Sequence, residues 1–156
     1  MALTDDGFED IQEWTAALMA RLAPAQRSRL NKRVAQELRA SQVNRIASQR
    51  NPDGSPYEPR RAKNLRGKKG TIRRKMFTKL RQARHLRAQG YADSAIVAFT
   101  AASARVARVH QLGLQDKPRP NTRAVRYAVR QLLGFARHDR ALILDAYARH
   151  LSGEGL

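Results

Sequence analysis

The sequence has no cysteine and is poor in acidic and aromatic residues. Of its 156 residues, 13 are Asp or Glu and 6% are aromatic. Without cysteine there is no disulfide framework, no thiolate zinc site and no cysteine nucleophile. No apolar run approaches the roughly 18 residues of a membrane-spanning helix, and the opening MALTDDGFEDIQEW holds acids and no base, unlike a signal peptide. We therefore expect a soluble protein with no membrane partner.

Positive charge is what the chain has in excess. Its 31 Lys and Arg residues outnumber the acids and give a net charge of +18. Residues 1–20 carry −5, residues 21–90 carry +18 and residues 91–156 carry +5. The length suits one domain spanning 1–156, large enough for a single core. A charge of this size predicts association with something anionic, whatever the fold.

The densest charge lies at residues 60–75, RRAKNLRGKKGTIRRK, which we call the basic segment. Such a run repels itself and lacks apolar residues, so we expect 51–72 to be an exposed loop, mobile unless a partner holds it. Several bases on one loop predict phosphate contact by counterion release, or contact with an acidic protein surface, while a merely solvated face remains open. No stacking platform or nucleic-acid motif accompanies them, so reading of base sequence is not expected. The candidate binding residues are Arg60, Arg61, Lys63, Arg66, Lys68, Lys69, Arg73, Arg74 and Lys75.

Periodicity and turn residues predict an α+β fold with two N-terminal helices, a small, mainly antiparallel sheet and a C-terminal helix. The Asn51-Pro52-Asp53-Gly54 sequence predicts a turn that ends the second helix. Lys75–Arg84 fits a short helix, although Met76-Phe77 could open a strand. The remaining elements are a helix from Ala25 to about Gln49, strands at His85–Tyr91 and Ser94–Thr100, a helix at Ala101–Leu112, a loop at Asp116–Asn121, a strand at Val125–Leu133 and a helix at Ala136–Leu151.

The first helix carries an apolar stripe among its acids. Phe8, Ile11, Trp14, Leu18 and Leu22 recur at helical spacing. We favour burial of this stripe in the protein's own core, because an apolar face must usually be covered within the molecule. The alternative is docking on a neighbouring subunit whose surface is basic. In that case the interface residues would be Asp5, Asp6, Glu9, Asp10 and Trp14.

No catalytic constellation is visible in the sequence. The four histidines, His85, His110, His138 and His150, are dispersed and show no zinc-binding spacing. We expect His110, near a helix end, to be structural, its ring capping nearby carbonyls. Gly67 and Gly70 lie among bases, but the phosphate-binding motif GxxxxGK[ST] is absent. We therefore expect no enzymatic activity, no metal and no cofactor.

Five segments in order carry a family resemblance. They are QRNPDGSPYEPRR at 49–61, KMFTKLRQARHL at 75–86, the strand pair ending in AFT, ARVARVHQLGLQDKPRP at 104–120 and RQLLGFARHDRALILDAYARHL at 130–151. This order resembles the phage virion morphogenesis family, the tail-completion proteins of Mu-like and related contractile-tailed phages, over nearly the whole chain. Its most specific pieces are the NPDG-x-P-Y turn, VHQ-x-G and LLG followed five residues later by Asp139. The stretch TRAVRYA at 122–128 departs from the proline-rich sequence expected there.

The resemblance implies a structural virion protein rather than an enzyme. Such a protein would complete the tail at its head-proximal end and support joining to the DNA-filled head, commonly as a ring and often as a hexamer. Its fold would be similar to that of tail-terminator and neck proteins. Expected partners are further copies of itself, the tail tube, the tail terminator or neck and connector proteins, and non-specific DNA in the channel. It would reside in the tail or neck of the virion after assembly in the bacterial cytoplasm.

Composition alone favours a different class of protein, a small basic nucleic-acid-binding protein associated with the nucleoid or the ribosome. Steep salt dependence of binding to free duplex DNA would be typical of that class.

Overall fold

A computed structural model describes residues 6–60 and 75–153 of the chain, and for 6–11 and Thr15 it describes the backbone alone. The fold is α+β, as the sequence predicts, and its strands form two antiparallel pairs. The elements in chain order are α1 (Asp6–Arg21), α2 (Pro24–Ala47), β1 (Leu86–Gly90), β2 (Ala95–Phe99), α3 (Ala101–Leu112), β3 (Gln115–Asp116), β4 (Val125–Arg126) and α4 (Arg137–Ser152).

Helix α2 is the central element. Pro24 occupies its first turn, where the missing N–H costs nothing. Its apolar positions recur every four residues, so one stripe is buried along the whole helix. The first half of that stripe packs against β2 and α4, and Ile46 at the other end belongs to a second cluster. That second cluster comprises Ile46, Tyr57, Met76, Ala107 and Leu132.

The β1–β2 hairpin lies on α2. Leu86 pairs with Phe99 and Gly90 with Ala95, around the turn that the sequence predicts. Leu86 and alternate residues along β1 face the helix, while Arg87 and Gln89 are exposed. At Gly90 the strand comes so close to α2 that an added Cβ would lie 2.1 Å from the backbone N of Lys32. A side chain is therefore excluded at this position.

Several predicted elements are confirmed with small shifts at their ends. Helix α3 has the predicted bounds and ends at Gly113, whose φ of 66° suits glycine. The predicted turn after α2 is present, with the Gly54 N–H donating to the Asn51 carbonyl at 3.0 Å. Helices α2 and α4 also lie where they were predicted. Among the described residues, no helix is long and apolar enough to cross a membrane.

The predicted helix at Lys75–Arg84 is wrong, and so is the strand alternative. These residues form successive turns. Phe77 has a φ of 62°, a left-handed conformation that a helix or strand cannot contain. The pattern of Met76, Leu80 and Ala83 arises because Met76 and Leu80 reach the core from an irregular backbone.

The strand predicted at Val125–Leu133 is confirmed only at its start. Val125 and Arg126 pair with β3, and beyond them the backbone continues with isolated hydrogen bonds, from Tyr127 to the Leu114 carbonyl and from Arg130 to the His110 carbonyl in α3. A half-exposed strand would bury Val129 and expose Arg130, whereas in the structure Val129 is exposed and Arg130 is buried. Arg130 turns inward because buried carbonyl groups need its donors, as described below.

Burial of the N-terminal stripe in the protein's own core is wrong for Trp14 and Leu22, while Leu18 is half-buried. Trp14 is 64% exposed and Leu22 is exposed as well. The side chains of Phe8 and Ile11 lie outside the described part of the structure. The apolar face of α1 is therefore not covered by the rest of the molecule around Trp14.

Candidate binding surface at the base of the basic segment

The basic segment meets the described structure at its two ends. Arg60 and Lys75 are both exposed. The other predicted binding residues, Arg61, Lys63, Arg66, Lys68, Lys69, Arg73 and Arg74, lie outside the described residues, as do residues 61–72 of the predicted exposed loop. The structure describes the residues on both sides of the segment, and we call these two flanks with the core around them the base of the segment.

The N-terminal flank of the segment is exposed at residues 53–56 and 58–60, as predicted for this loop, but Tyr57 holds it to the core. Tyr57 is buried, its N–H donates to the Gln49 carbonyl at 2.7 Å and its hydroxyl donates to the Gln131 carbonyl at 3.2 Å. Burial raises the pKa of the Tyr57 hydroxyl. This flank is held because tyrosine supplies apolar area as well as a donor that reaches a buried carbonyl.

Arg130 clamps the last residues before the segment. Its Nε donates to the Glu58 carbonyl at 2.7 Å and its Nη2 to the Pro59 carbonyl at 2.9 Å. The side chain is buried, and this burial lowers the pKa of Arg130. Arg60 therefore leaves the core from a backbone whose two preceding carbonyls are held in place.

The C-terminal flank is held by Gln49. The side-chain oxygen of Gln49 accepts the Met76 N–H at 2.7 Å, and its amide nitrogen donates to the Met76 carbonyl at 3.0 Å. Gln49 has a φ of 57°, which turns the chain at the end of α2. Since the Gln49 carbonyl also accepts from Tyr57, one residue ties both flanks of the segment together.

A line of aromatic rings closes the base. Tyr57, Phe77, His110 and Tyr127 follow one another edge to face, with ring centroids 5.8, 4.7 and 4.9 Å apart. Such contacts contribute about 0.5–1.5 kcal/mol each beyond the area that they bury. The line joins both flanks to α3 and to the chain beyond β4. The base of the segment is therefore a rigid part of the core.

His110 is neutral inside this line. Burial, with the nearby charges of Arg130 and Arg60, lowers its pKa from 6.5 to about 4. Arg130 Nη1 lies 3.4 Å from His110 Nδ1, and because a guanidinium only donates, Nδ1 is the acceptor and the proton sits on Nε2. The prediction that His110 is structural is confirmed, although its ring packs between rings rather than capping carbonyls.

Acidification should destabilise the protein through His110. Because its pKa is lower in the folded state than its ordinary 6.5, the unfolded chain takes up the proton first. Stability is therefore complete above pH 6.5 and falls as the pH drops towards about 4, by about 1 kcal/mol per pH unit. Denaturant unfolding across this range should show a shallower slope for His110→Phe. Equal slopes in the parent and His110→Phe would contradict the assignment.

Elsewhere in residues 6–60 and 75–153, no group of three or more His, Asp or Glu side chains is placed to hold a metal ion. The four histidines are not brought together. Of the predicted interface residues, Asp5 lies outside the described residues, Asp6, Glu9 and Asp10 are described as backbone on α1, and Trp14 is exposed.

Sequence reasoning missed Gln49 and Arg130, the two residues that fix the base. Alternation along the strand predicted at Val125–Leu133 puts Arg130 on the face opposite Val125, Tyr127 and Val129, and Gln49 is predicted only as the end of a helix. The sequence gives a weak indication that Arg130 is buried, because an arginine beside apolar residues has enough N–H donors to satisfy several carbonyls at once. Nothing in the sequence singles out Gln49.

The described residues thus form a small α+β fold that holds both flanks of a strongly basic segment. The model of the phage virion morphogenesis family matches residues 6–152, and the chain belongs to that family. It is similar to tail completion protein S of Escherichia phage P2, with 36% identity over 145 residues that cover 92% of this chain and 97% of that protein. No solved structure is significantly similar, so the likeness to tail-terminator and neck proteins stays a prediction.

Proposed function

We propose that this protein completes the phage tail as a structural component of the virion. The observation that carries the proposal is its 36% identity to tail completion protein S of phage P2 across nearly the full length of both chains. The role is one of assembly rather than catalysis. It acts at the head-proximal end of the tail, where it supports joining of head and tail, and its partners are tail and neck proteins.

The proposal includes a ring of copies around the DNA channel, with the basic segments gathered on one surface. Nine positive charges per copy would give about 54 in a ring of six, a repulsion that anionic material must neutralise. The fixed flanks support this arrangement, because every copy holds the two ends of the segment at the same place on its core. Its partner is the DNA in the channel or an acidic connector surface.

Gene disruption in the source phage tests the assembly role. We expect separate filled heads and tails, few infectious particles, and recovery when the intact gene is supplied from a plasmid. Electron microscopy of the lysate and plaque counts provide the two readouts. Normal tailed particles without the protein would overturn the proposed function.

The basic segment should be required for assembly but not for folding. Replacing Arg66, Lys68, Lys69, Arg73 and Arg74 with Gln should lower the yield of infectious particles at least tenfold in the plasmid assay. A loss of about 1.4 kcal/mol in the free energy of binding to the partner is enough for a tenfold change in the binding constant. The unfolding temperature should stay unchanged. A matched control removes five exposed bases elsewhere, at Arg27, Arg29, Lys32, Arg84 and Arg87. Equal yields from the two variants would refute the role of the segment.

Binding to free duplex DNA separates this role from that of a nucleic-acid-binding protein. A free nucleic-acid binder should bind tightly and lose affinity steeply with salt. A tail component should bind free DNA weakly, because its segment is matched to a surface that exists only in the particle.

A further inference from the structure

Helix α1 is joined to the rest of the molecule at its last turn. The Arg21 guanidinium donates to the Leu151 carbonyl at 2.9 Å, and the His150 ring donates to the Arg21 carbonyl at 2.9 Å. Gly153 packs closely on Arg21, where an added Cβ would lie 2.6 Å from the guanidinium. These contacts fix the direction of α1 relative to α4, while the residues around Trp14 stand away from the core.

The exposed part of α1 has the composition of an interface. Trp14 and Met19 are each 64% exposed. Large aromatic and Met side chains at this exposure are enriched in protein interfaces and uncommon on free surfaces. The helix also carries four acids, Asp6, Glu9, Asp10 and Glu13, against the single base Arg21. A fitting partner is therefore apolar and positively charged.

A surface of that kind exists on this same chain. Leu112, Leu114 and Val129 are exposed apolar side chains around the end of α3, and we call this surface the α3–β4 face. They are neighbours, because the Tyr127 N–H donates to the Leu114 carbonyl at 3.1 Å and Val129 lies against Gly113. Exposed bases lie on the same elements and on the chain between β3 and β4, namely Arg108, Lys117, Arg119, Arg123 and Arg126. Asp116 on β3 is paired with Arg105.

We propose that α1 of one copy packs on the α3–β4 face of a second copy. Trp14 would cover the three apolar side chains, and the acids of α1 would lie among the bases on those elements. Charge complementarity selects the second copy as the occupant, because this chain itself supplies one acidic apolar helix and one basic apolar face. The contact joins two different surfaces, so it repeats from copy to copy and can close into a ring. This proposal rests on the ring in the proposed function and assigns the interface between neighbouring copies in that ring.

Sedimentation equilibrium of the full-length protein tests the interface. We expect association in about 200 mM salt, where the mutual repulsion of copies that each carry a net charge of +18 is largely screened. Trp14→Ala should raise the dissociation constant at least tenfold, as loss of a central aromatic anchor does. Leu144→Ala is the matched control, since Leu144 is an exposed apolar residue on α4. Circular dichroism melts should show that both variants fold like the parent.

Cross-linking identifies the face directly, because the chain has no cysteine of its own. A protein with Ala17→Cys on α1 is mixed with one carrying Gln115→Cys on β3, and a short bis-maleimide is added. Both positions are exposed. We expect a cross-linked dimer, whereas Ala17→Cys with Ala148→Cys, exposed on α4, should give little.

Two outcomes would overturn the interface. One is a protein that stays monomeric in about 200 mM salt at concentrations up to about 100 µM, which implies a dissociation constant well above that concentration. The other is equal cross-linking at Gln115 and Ala148. The interface and the assembly role can fail separately. A chain that associates through this pair but does not restore tailed particles would overturn the assembly role alone. A chain that restores particles while staying monomeric and uncross-linked would overturn the interface alone.

Discussion

Replacing Arg45 with methionine should lower the free energy of unfolding by about 3–5 kcal/mol, the cost of breaking a buried charged network from one side. Arg45 is buried near the end of α2 and satisfies several acceptors at once. Its Nη1 donates to the carbonyls of Arg50 at 3.0 Å and Gln131 at 2.7 Å, and its Nη2 donates to the Leu132 carbonyl at 2.8 Å and to the Gln42 side chain. Methionine fills a similar volume but leaves those acceptors without partners.

The charge of Arg45 also has a distant partner. Burial lowers the pKa of Arg45, while the charge of Asp139 opposes that shift. Gln42 bridges the two, accepting from Arg45 and donating to Asp139 at 3.4 Å. The fully buried Asp139 also accepts from Ser41 and from the Ala136 N–H, which caps the start of α4. Loss of Arg45 therefore weakens the contact between α2 and α4 as well as the chain around Gln131.

Chemical denaturation measures this effect, with Arg33→Met as the control. Arg33 lies on the same helix, is exposed, and pairs only with Glu37 one turn away among its described ion pairs. Pairs of this kind contribute a few tenths of a kcal/mol, so the control should stay within about 0.5 kcal/mol of the parent. The difference for Arg45→Met should appear as a fall of roughly 10 °C in the unfolding temperature. Similar stabilities of the two variants would show that the network contributes little.

Gly90→Ala should be similarly damaging, with a loss of about 3 kcal/mol or more, because the clash is with backbone rather than with a flexible side chain. The new methyl group would lie 2.1 Å from the Lys32 nitrogen and 2.6 Å from the Asn31 carbonyl carbon. The hairpin would have to lift from α2. That movement would break the bond from the Asn31 side chain to the Tyr91 carbonyl, which is 2.6 Å long.

The control for this substitution is Gly54→Ala. Gly54 has a φ of 87°, but nothing lies within 4 Å of its added methyl group. It should cost about 1 kcal/mol from backbone strain alone. If thermal melts show Gly54→Ala to be as damaging as Gly90→Ala, the close approach of β1 to α2 is not what makes Gly90 necessary.

The sequence predicts the regular elements of this fold well, because each has a local physical cause. The repeated apolar residues of α2 predict one buried helix face. The β-forming pair Ile96-Val97 predicts a strand, and the glycine after α3 predicts the end of that helix. Each of these signals depends only on residues close by in the sequence. Residues 75–84 could not be predicted in this way. Met76 and Phe77 are placed by the distant side chain of Gln49 and the ring of His110, and these contacts prevail over local helical spacing.

The sequence predicts which residues make up the basic segment, but it does not predict the contacts that hold the two flanks of the segment. Nine bases in 16 residues identify the basic segment without any structure. Arg130 is held by its hydrogen bonds to the carbonyls of Glu58 and Pro59. No sequence pattern shows that these two carbonyls need a side-chain donor. Trp14 was misplaced for a related reason: helical periodicity shows that a face is apolar, but not whether it is covered by the same chain or by another.

The anchoring of both flanks by Gln49 and Arg130 has an evolutionary consequence. Since the fold holds the two ends, the residues between them can change in length and charge with little effect on the core. Doubling the length of such a closed loop costs only about 0.6 kcal/mol in entropy. Related phages could therefore exchange this segment as a cassette, adapting one assembly protein to differing neighbours while the scaffold stays the same. Chimeras with the segment transplanted between positions 60 and 75 should fold like the parent.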